Sequence, residues 1–334
     1  MHIADFDTDA RVLVVAEIGN NHEGDVGVAR ELVEAAAEAG ADAVKFQTFR
    51  TEHYVSRLDA ERFTRLEGFR LSFEEFEELA ALAHNLGLLF VSTPFDLESA
   101  AFLGQVADAI KIASGDNDFE PLLVRAAGTR RPMIVSAGLA EIEAIRRTVG
   151  LVRREWAGED HGLAVLHCVS AYPVPPEEAH LRAVTALADE LDCVVGYSDH
   201  TIGVDAAPLA VALGARVIEK HFTLDKSYSD FRDHLLSADP LELTDLVRRI
   251  RLAETLLGAA TKRVQPSEES GVVALRRSIA ALRDLPAGHA ITAEDLTWLR
   301  PGGGLRPGQE EALLGRRLRR AVSAGEQLGV DDTE

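Results

Sequence analysis

Two apolar, strand-like runs of this 334-residue chain finish on an imidazole, VVGYSDH at His200 and RVIEKH at His221. Their spacing of 21 residues is that of one strand–helix–strand repeat, so both rings can reach the same end of a parallel sheet. Neutral imidazoles on rigid strand ends suit a divalent transition metal, and two protein ligands leave positions open for substrate. A lone histidine would more simply cap its strand by bonding to backbone. A pair with Glu219, Asp199 and Asp233 nearby in sequence favours the metal.

Lys45 and Lys111 lie within apolar runs, in a chain where only five of 35 basic residues are lysines. A buried ammonium is costly unless an anion accompanies it. Hydroxyls at Ser114, Ser136 and Ser198, with small residues in the SGDN and SAGL segments that let backbone N–H groups approach, outline an anion pocket. Each serine alone is ordinary at a strand end. Carboxylates crowd the same rim at Glu17, Asp116, Glu219 and Asp233. Beside a metal and an anion, one of them could be general acid or base, or could simply orient a ligand.

The elements that must position these groups repeat regularly. Eight β-rich runs, at 12–19, 43–49, 88–95, 109–116, 132–138, 163–173, 193–199 and 216–224, alternate with helical patterns such as 28–40, 73–87 and 241–258. Eight βα units in about 250 residues predict an α/β fold of the (β/α)8 TIM-barrel type, whose active site lies at the C-terminal ends of the strands. A doubly wound sheet has fewer strands and gives no reason for a polar residue at every strand end. The barrel is expected over 1–262, a linker over 263–275 around VQPSEESG, and a small β-rich domain over 276–334.

A formal net charge of −20, from 35 basic and 55 acidic residues, argues against nucleic acid and anionic membranes as partners. No apolar run approaches a membrane span, and the N-terminal residues lack a signal-peptide pattern, so a cytoplasmic protein is expected. Cys168 and Cys193 read as buried reduced thiols, not as a disulfide framework.

The stretches AEIGNNHEGD, AVKFQTFRTE, STPFD, KIASGD, SAG, HCVSAYP, GYSDHTIG and VIEKHFTLD, followed by RRSIAALRDLPAGHAITAEDL and RPGGG, run in one order from about residue 12 to 325. Together they closely resemble the sialic acid (N-acetylneuraminate) synthase family. The resemblance implies a TIM barrel followed by a small β-clip domain of the SAF, or antifreeze-like, kind. It also implies condensation of phosphoenolpyruvate with an open-chain N-acetylated amino sugar. N-acetylmannosamine is the default acceptor, giving N-acetylneuraminate and phosphate by C–O cleavage; a 2,4-diacetamido-trideoxyhexose giving legionaminic or pseudaminic acid is the alternative.

By matching motifs, the resemblance implies that His200 and His221 hold Mn²⁺, with Co²⁺ or Mg²⁺ as alternatives. It places Lys111, Ser114, Ser136, Ser170 and Ser198 at the phosphate, and Lys45 and Thr93 near the carboxylate of phosphoenolpyruvate. Glu17, Glu219 and Asp116 are the candidates for proton handling, and Gln47, Tyr172 and Asp233 for the sugar. It further implies a homodimer with exchanged domains, in which Arg300 of LRPGGG reaches the sugar site of a second copy.

Three departures touch this pattern: Asp116 stands where the family commonly has Glu, Ser170 where many members have Asn, and Phe231-Arg232 where a Gly-Pro pair is usual. They spare the metal pair and most of the anion site and fall where sugar is recognised. Two rivals remain: a Schiff-base aldolase using Lys111 or Lys220, and a noncatalytic carbohydrate-binding relative.

Overall fold

Every residue of the first long strand, Leu13–Gly19 (β1), is buried. Burial on both faces is expected of a parallel strand with side chains inside a barrel on one side and helices on the other. Seven more strands follow: Ala43–Thr48 (β2), Leu89–Pro94 (β3), Ala109–Ile112 (β4), Met133–Ser136 (β5), Leu163–Cys168 (β6), Val194–Asp199 (β7) and Val217–His221 (β8). Each pairs in parallel with the next, and β8 pairs with β1 to close the barrel. The computed structural model describes residues 1–334, which divide into two compact units, Met1–Gly258 and Ala259–Glu334.

The helices between strands begin where local chemistry starts them. Asp25 accepts from the Gly27 and Val28 N–H groups at the head of Val26–Glu38. Ser72 and Glu75 form a capping box on Phe73–Asn85, and Asp239 and Glu242 form one on Pro240–Leu257, with proline in the first turn. These three helices match the expected ones within a few residues. The sequence reading did not anticipate a further helix, Ala60–Phe69, in the long connection between β2 and β3. Its single fully buried residue is Leu66, too little apolar periodicity to signal a helix.

Helices and strands share a large outer apolar core. A smaller inner core closes the N-terminal end of the barrel, where Leu13, Val15, Ala43, Val91, Ala109 and Leu166 meet Ile3. Ile3 comes from an antiparallel hairpin, His2–Ile3 with Phe6–Asp7, that plugs the barrel floor. The polar ends of the strands are therefore at the opposite, open end.

The second unit has its own apolar cluster, including Ile279, Leu285, Ile291, Leu313, Leu318 and Leu328. Its antiparallel pair is Ser278–Ala281 (β9) with Leu296–Leu299 (β10). The stretch expected as a linker contains a helical turn, Pro266–Glu268, and a short helix, Gly271–Leu275. No helix of the chain is long and apolar enough to cross a membrane.

Truncating the floor plug should be felt as a cavity. Ile3→Ala is expected to lower the unfolding free energy by about 2–4 kcal/mol, measured by denaturant titration, with substrate affinities unchanged. A loss under ~0.5 kcal/mol would show that the hairpin does not seal the core.

Candidate active site

Alternation along each strand decides which polar residue enters the barrel. In β3, Thr93 faces inward, whereas the Ser92 hydroxyl turns away to Thr48 (2.8 Å) and the Phe46 carbonyl (3.1 Å). In β7, Ser198 faces inward and Asp199 outward, where it accepts from the Thr201 N–H and hydroxyl. In β8, Glu219 and His221 face inward. Lys220 points outward to Asp199 at 3.3 Å and to the Thr201 carbonyl.

The inward set lines one cavity of about 1080 Å³. Its wall carries every site residue expected from sequence except Arg300: Glu17, Lys45, Gln47, Thr93, Lys111, Ser114, Asp116, Ser136, Ser170, Tyr172, Ser198, His200, Glu219, His221 and Asp233. Arg300 is exposed, just beyond β10 in the other unit.

At the centre is a ladder of buried charges. Lys45 Nζ lies 2.7 Å from Glu17 Oε2 and 3.6 Å from Glu219 Oε2, and it donates to Thr93 Oγ1 at 3.3 Å. Lys111 Nζ lies 4.0 Å from Glu219 Oε2 and donates to Ser136 Oγ at 2.6 Å; Ser198 Oγ donates to Glu219 Oε1 at 2.8 Å. Strand register makes this possible, since Glu17 pairs with Lys45 and with His221, and Glu219 pairs with Ser198.

The shared ammonium divides the two carboxylates. Burial alone would raise Glu219, but Lys111, Lys45 and the Ser198 hydroxyl outweigh it and hold Glu219 below its ordinary value. Glu17 goes the other way: burial raises it and Lys45 only partly offsets that. Burial pulls Lys45 down, yet Glu17 and Glu219 together keep its ammonium above the usual lysine range. Burial wins for Lys111, whose value is lowered. Environments that push two carboxylates apart assign them opposite proton roles.

On one side of the ladder lies the anion cradle. A Cβ built on Gly138 would stand 2.5 Å from both the Ser114 and Ser170 hydroxyl oxygens. Glycine is therefore what leaves room between them. The Ser170 Oγ is buried without a hydrogen-bond partner, and Asn117 braces the wall by donating to the Ser136 and Gly138 carbonyls. The Ser114 hydroxyl, the unpartnered Ser170 hydroxyl, one glycine gap and the Lys111 ammonium form a site for a tetrahedral oxyanion.

On another side are the two imidazoles, with ring centroids 5.3 Å apart. His200 Nδ1 meets the Val169 carbonyl at 2.9 Å, an arrangement that puts the ring proton there and leaves Nε2 its lone pair. Burial, with the positive charge of His200 and Lys45, holds His221 well below the usual imidazole range. Its Nδ1 is buried without a hydrogen-bond partner, 4.0 Å from Asp233 Oδ2. No three His, Cys, Asp or Glu side chains converge as a ready-made cage. Burial alone would lower His200, but the Cys168 thiol, the Val169 carbonyl and Glu219 outweigh it and hold His200 above the usual imidazole range, so a cation would have to displace its proton. The two imidazoles beside carboxylates still fit a divalent ion whose remaining positions go to substrate and water.

Sequence reasoning missed several residues of the wall. Cys168 faces the cavity, its thiol 3.7 Å from His200 Nδ1; parity with the inward Leu166 was the available signal. Asn20 donates to Gln47 at 2.7 Å, and Gln47 donates to Glu17 at 3.3 Å, steadying that carboxylate. Tyr54, Arg62, Leu66 and Phe69 come from the β2–β3 connection, whose length was itself a hint of a functional loop. Phe231 and Arg232, already singled out from sequence, line the mouth, with the Arg232 guanidinium 4.7 Å above the Tyr172 ring.

Comparison with known proteins gives concordant results. The NeuB family profile matches residues 32–262, and the SAF domain profile matches residues 276–332. N,N'-diacetyllegionaminic acid synthase of Legionella pneumophila is 41% identical over 330 residues, covering 94% of this chain and 92% of its own. Pseudaminic acid synthase of Campylobacter jejuni is 33% identical over 346 residues, covering 99% of each. A solved structure, the citrate complex of N-acetylneuraminic acid (sialic acid) synthetase from Leptospira borgpetersenii, matches with a TM-score of 0.76 at 31% identity, over 81% of this chain and 94% of the other.

Two outcomes follow from the geometry. Gly138→Ala should fill the gap between Ser114 and Ser170 and weaken inorganic phosphate binding at least ~10-fold, about 1.4 kcal/mol. Titration calorimetry reads this, and unchanged affinity would remove Gly138 from the cradle. The second concerns Asp116, whose carboxyl is raised by burial and by Asp118 from 3.8 to about 6. A folded-state value above the unfolded one means that protonation favours the fold. Relative to Asp116→Asn, the wild type should gain roughly 1–2 kcal/mol, after solvent screening, as pH falls from about 6 towards 4. A stability difference that stays flat across that window would contradict it.

Proposed function

This chain belongs to the NeuB family, and from that premise we propose that it condenses phosphoenolpyruvate with the open-chain aldehyde of an N-acetylated amino sugar, yielding a nine-carbon 2-keto acid and phosphate. The observation that carries this reading is the single cavity in which a buried ladder, Lys111–Glu219–Lys45–Glu17, runs between an oxyanion cradle and a pair of imidazoles. Such a site can hold a phosphorylated three-carbon acid at one end and a carbonyl at the other.

In this reading Lys111, Ser114, Ser136, Ser170 and Ser198 hold the phosphate, and Lys45 with Thr93 holds the carboxylate. Bound Mn²⁺ or a similar ion, held by His200 and His221, would supply Lewis acidity at the aldehyde oxygen. Carbon 3 of phosphoenolpyruvate forms a bond to the aldehyde carbon, and water adds at carbon 2. The C2–O bond to phosphate then breaks, leaving the water oxygen as the new ketone. Water's two protons go to the former aldehyde oxygen and to the departing phosphate. Glu219, kept ionised by its two lysines, is placed to take a proton from water. Glu17, kept easier to protonate, is placed to give one. Asp116, Gln47, Tyr172 and Asp233 remain for the sugar end.

N-acetylmannosamine is the simplest acceptor. The apolar rim from Leu66, Phe69 and Phe231 supports a second reading, a 2,4-diacetamido-trideoxyhexose. Its methyl groups suit apolar surface where a hydroxymethyl group would lose hydrogen bonds. The resemblance to the Legionella synthase points the same way. The aldolase rival loses one of its lysines, because Lys220 faces away from the cavity and is held by Asp199 and Thr201.

The test is phosphate release from phosphoenolpyruvate with Mn²⁺, offering each sugar or none, with and without EDTA, and weighing the products by mass. Sugar-dependent release that EDTA abolishes is expected, with no adduct trapped by borohydride. His221→Ala should keep the fold, bind Mn²⁺ poorly and lose more than about 100-fold in rate. Release that survives chelation, or a borohydride-trapped lysine, would overturn the reading.

A further inference from the structure

The loop that follows β8 supplies five consecutive residues to the cavity wall, Ser229 to Asp233. Its four-residue helix, Asp233–Leu236, is too short to hold itself. What fixes it comes from the opposite end of the sequence. Glu23, on the loop after β1, accepts hydrogen bonds from the Ser229 hydroxyl and from His234 Nε2, the latter at 3.1 Å. His234 is almost fully buried, and its other nitrogen lies 2.7 Å from the Thr223 hydroxyl. One imidazole is thus clamped between two loops at the barrel mouth.

The clamp is built at a cost. Glu23 has a φ of +47°, in the left-handed region that a residue with a side chain seldom occupies. That conformation persists where neighbours over-determine it, and here they do. The next residue, Gly24, has a φ of +86° and lies so close to the helix Ala60–Phe69 that a Cβ on it would stand 2.0 Å from the Gly68 carbonyl oxygen. Asn21 of the same loop donates to the Phe222 carbonyl and to the Ser237 hydroxyl, which in turn donates to the Asp233 carbonyl at 2.6 Å. Phe231 stands edge-on to Phe69, with ring centroids 5.1 Å apart. Loops from β1, β2 and β8 therefore meet around one buried pair.

We infer that Glu23 and His234 form a latch that positions the β8 loop, and with it Asp233 and Phe231, for the acceptor sugar alone. The inference rests on the donor and acceptor ends assigned above. The latch reaches the β8 loop directly, whereas the oxyanion cradle at Ser114, Gly138 and Ser170 is built on loops after β4, β5 and β6. His234 is a positioning residue that acts through Asp233 and Phe231; Glu23, which also borders the cavity, holds the same loop through His234 and Ser229. A latch of this kind raises the acceptor KM when broken and leaves the donor untouched.

The experiment compares Glu23→Ala, Glu23→Gln and His234→Ala in the full chain. Acceptor KM should rise at least 10-fold in both alanine variants and less than about 3-fold in Glu23→Gln, whose amide oxygen still accepts from Ser229 and His234. Phosphoenolpyruvate affinity, measured by calorimetry without sugar, should stay within 2-fold of wild type. Hydrogen exchange gives a readout that needs no turnover: residues 225–237 should lose protection in the alanine variants, with β4–β6 unchanged. An unaltered acceptor KM, an equal loss of phosphoenolpyruvate affinity, or unaltered exchange in 225–237 would each refute the latch. Failure of the proposed reaction would look different: the wild type would release no phosphate with any sugar, while the exchange comparison would still read the latch.

Discussion

A buried ammonium flanked by two carboxylates is the interaction on which the interior of this barrel depends. Removing charge from water is expensive, and a single unmatched ion would be worse than none. Lys45 is tolerable because Glu17 and Glu219 stand on either side, and Glu219 because Lys111 and Ser198 complete its shell. Five strands must close in register to bring these groups together: β1 against β2, β7 against β8, β8 sealing onto β1, and β4 reaching across with Lys111. The charged ladder therefore tests closure: a slip of one residue would turn Glu17, Lys45 and Glu219 outward among helices.

The same ladder gives the cavity its polarity. Lys111 and the gap at Gly138 make one end anionophilic, while the paired imidazoles make the other fit for an ion or a polarised carbonyl. A protein of strongly negative charge needs that concentration of buried positive charge to receive an anionic substrate at all. Because Lys45 is satisfied internally by two carboxylates, its ammonium is favoured without a ligand, and that part of the site is organised before anything binds.

The rim obeys different rules. Its residues come from loops, and loops are held by long-range side-chain contacts, not by ladders of backbone bonds. Glu23 reaches His234 and Ser229 across the mouth, Phe69 meets Phe231, and Arg232 covers Tyr172. Here the sequence departs from its family resemblance, at Phe231 and Arg232.

Local periodicity made the barrel, its eight strands and the polar residue at each strand end legible, because strands encode inside and outside every second residue and helices every three or four. The capping boxes at Ser72 and Asp239 were likewise written locally. Parity, applied strictly, also separates Thr93 from Ser92, Glu219 from Lys220 and Cys168 from His167. Periodicity could not reveal the helix Ala60–Phe69, which buries only Leu66, nor the meeting of Ser114 with Ser170 beside Gly138, nor Glu23 with His234. Those pairs are far apart along the chain and belong to loops without repeating pattern, so only closure of the barrel brings them within bonding distance. The amino-acid sequence thus determined which chemistry faces the interior; the tertiary structure decided which loops fence it, because contacts between loops depend on where each strand end is finally placed.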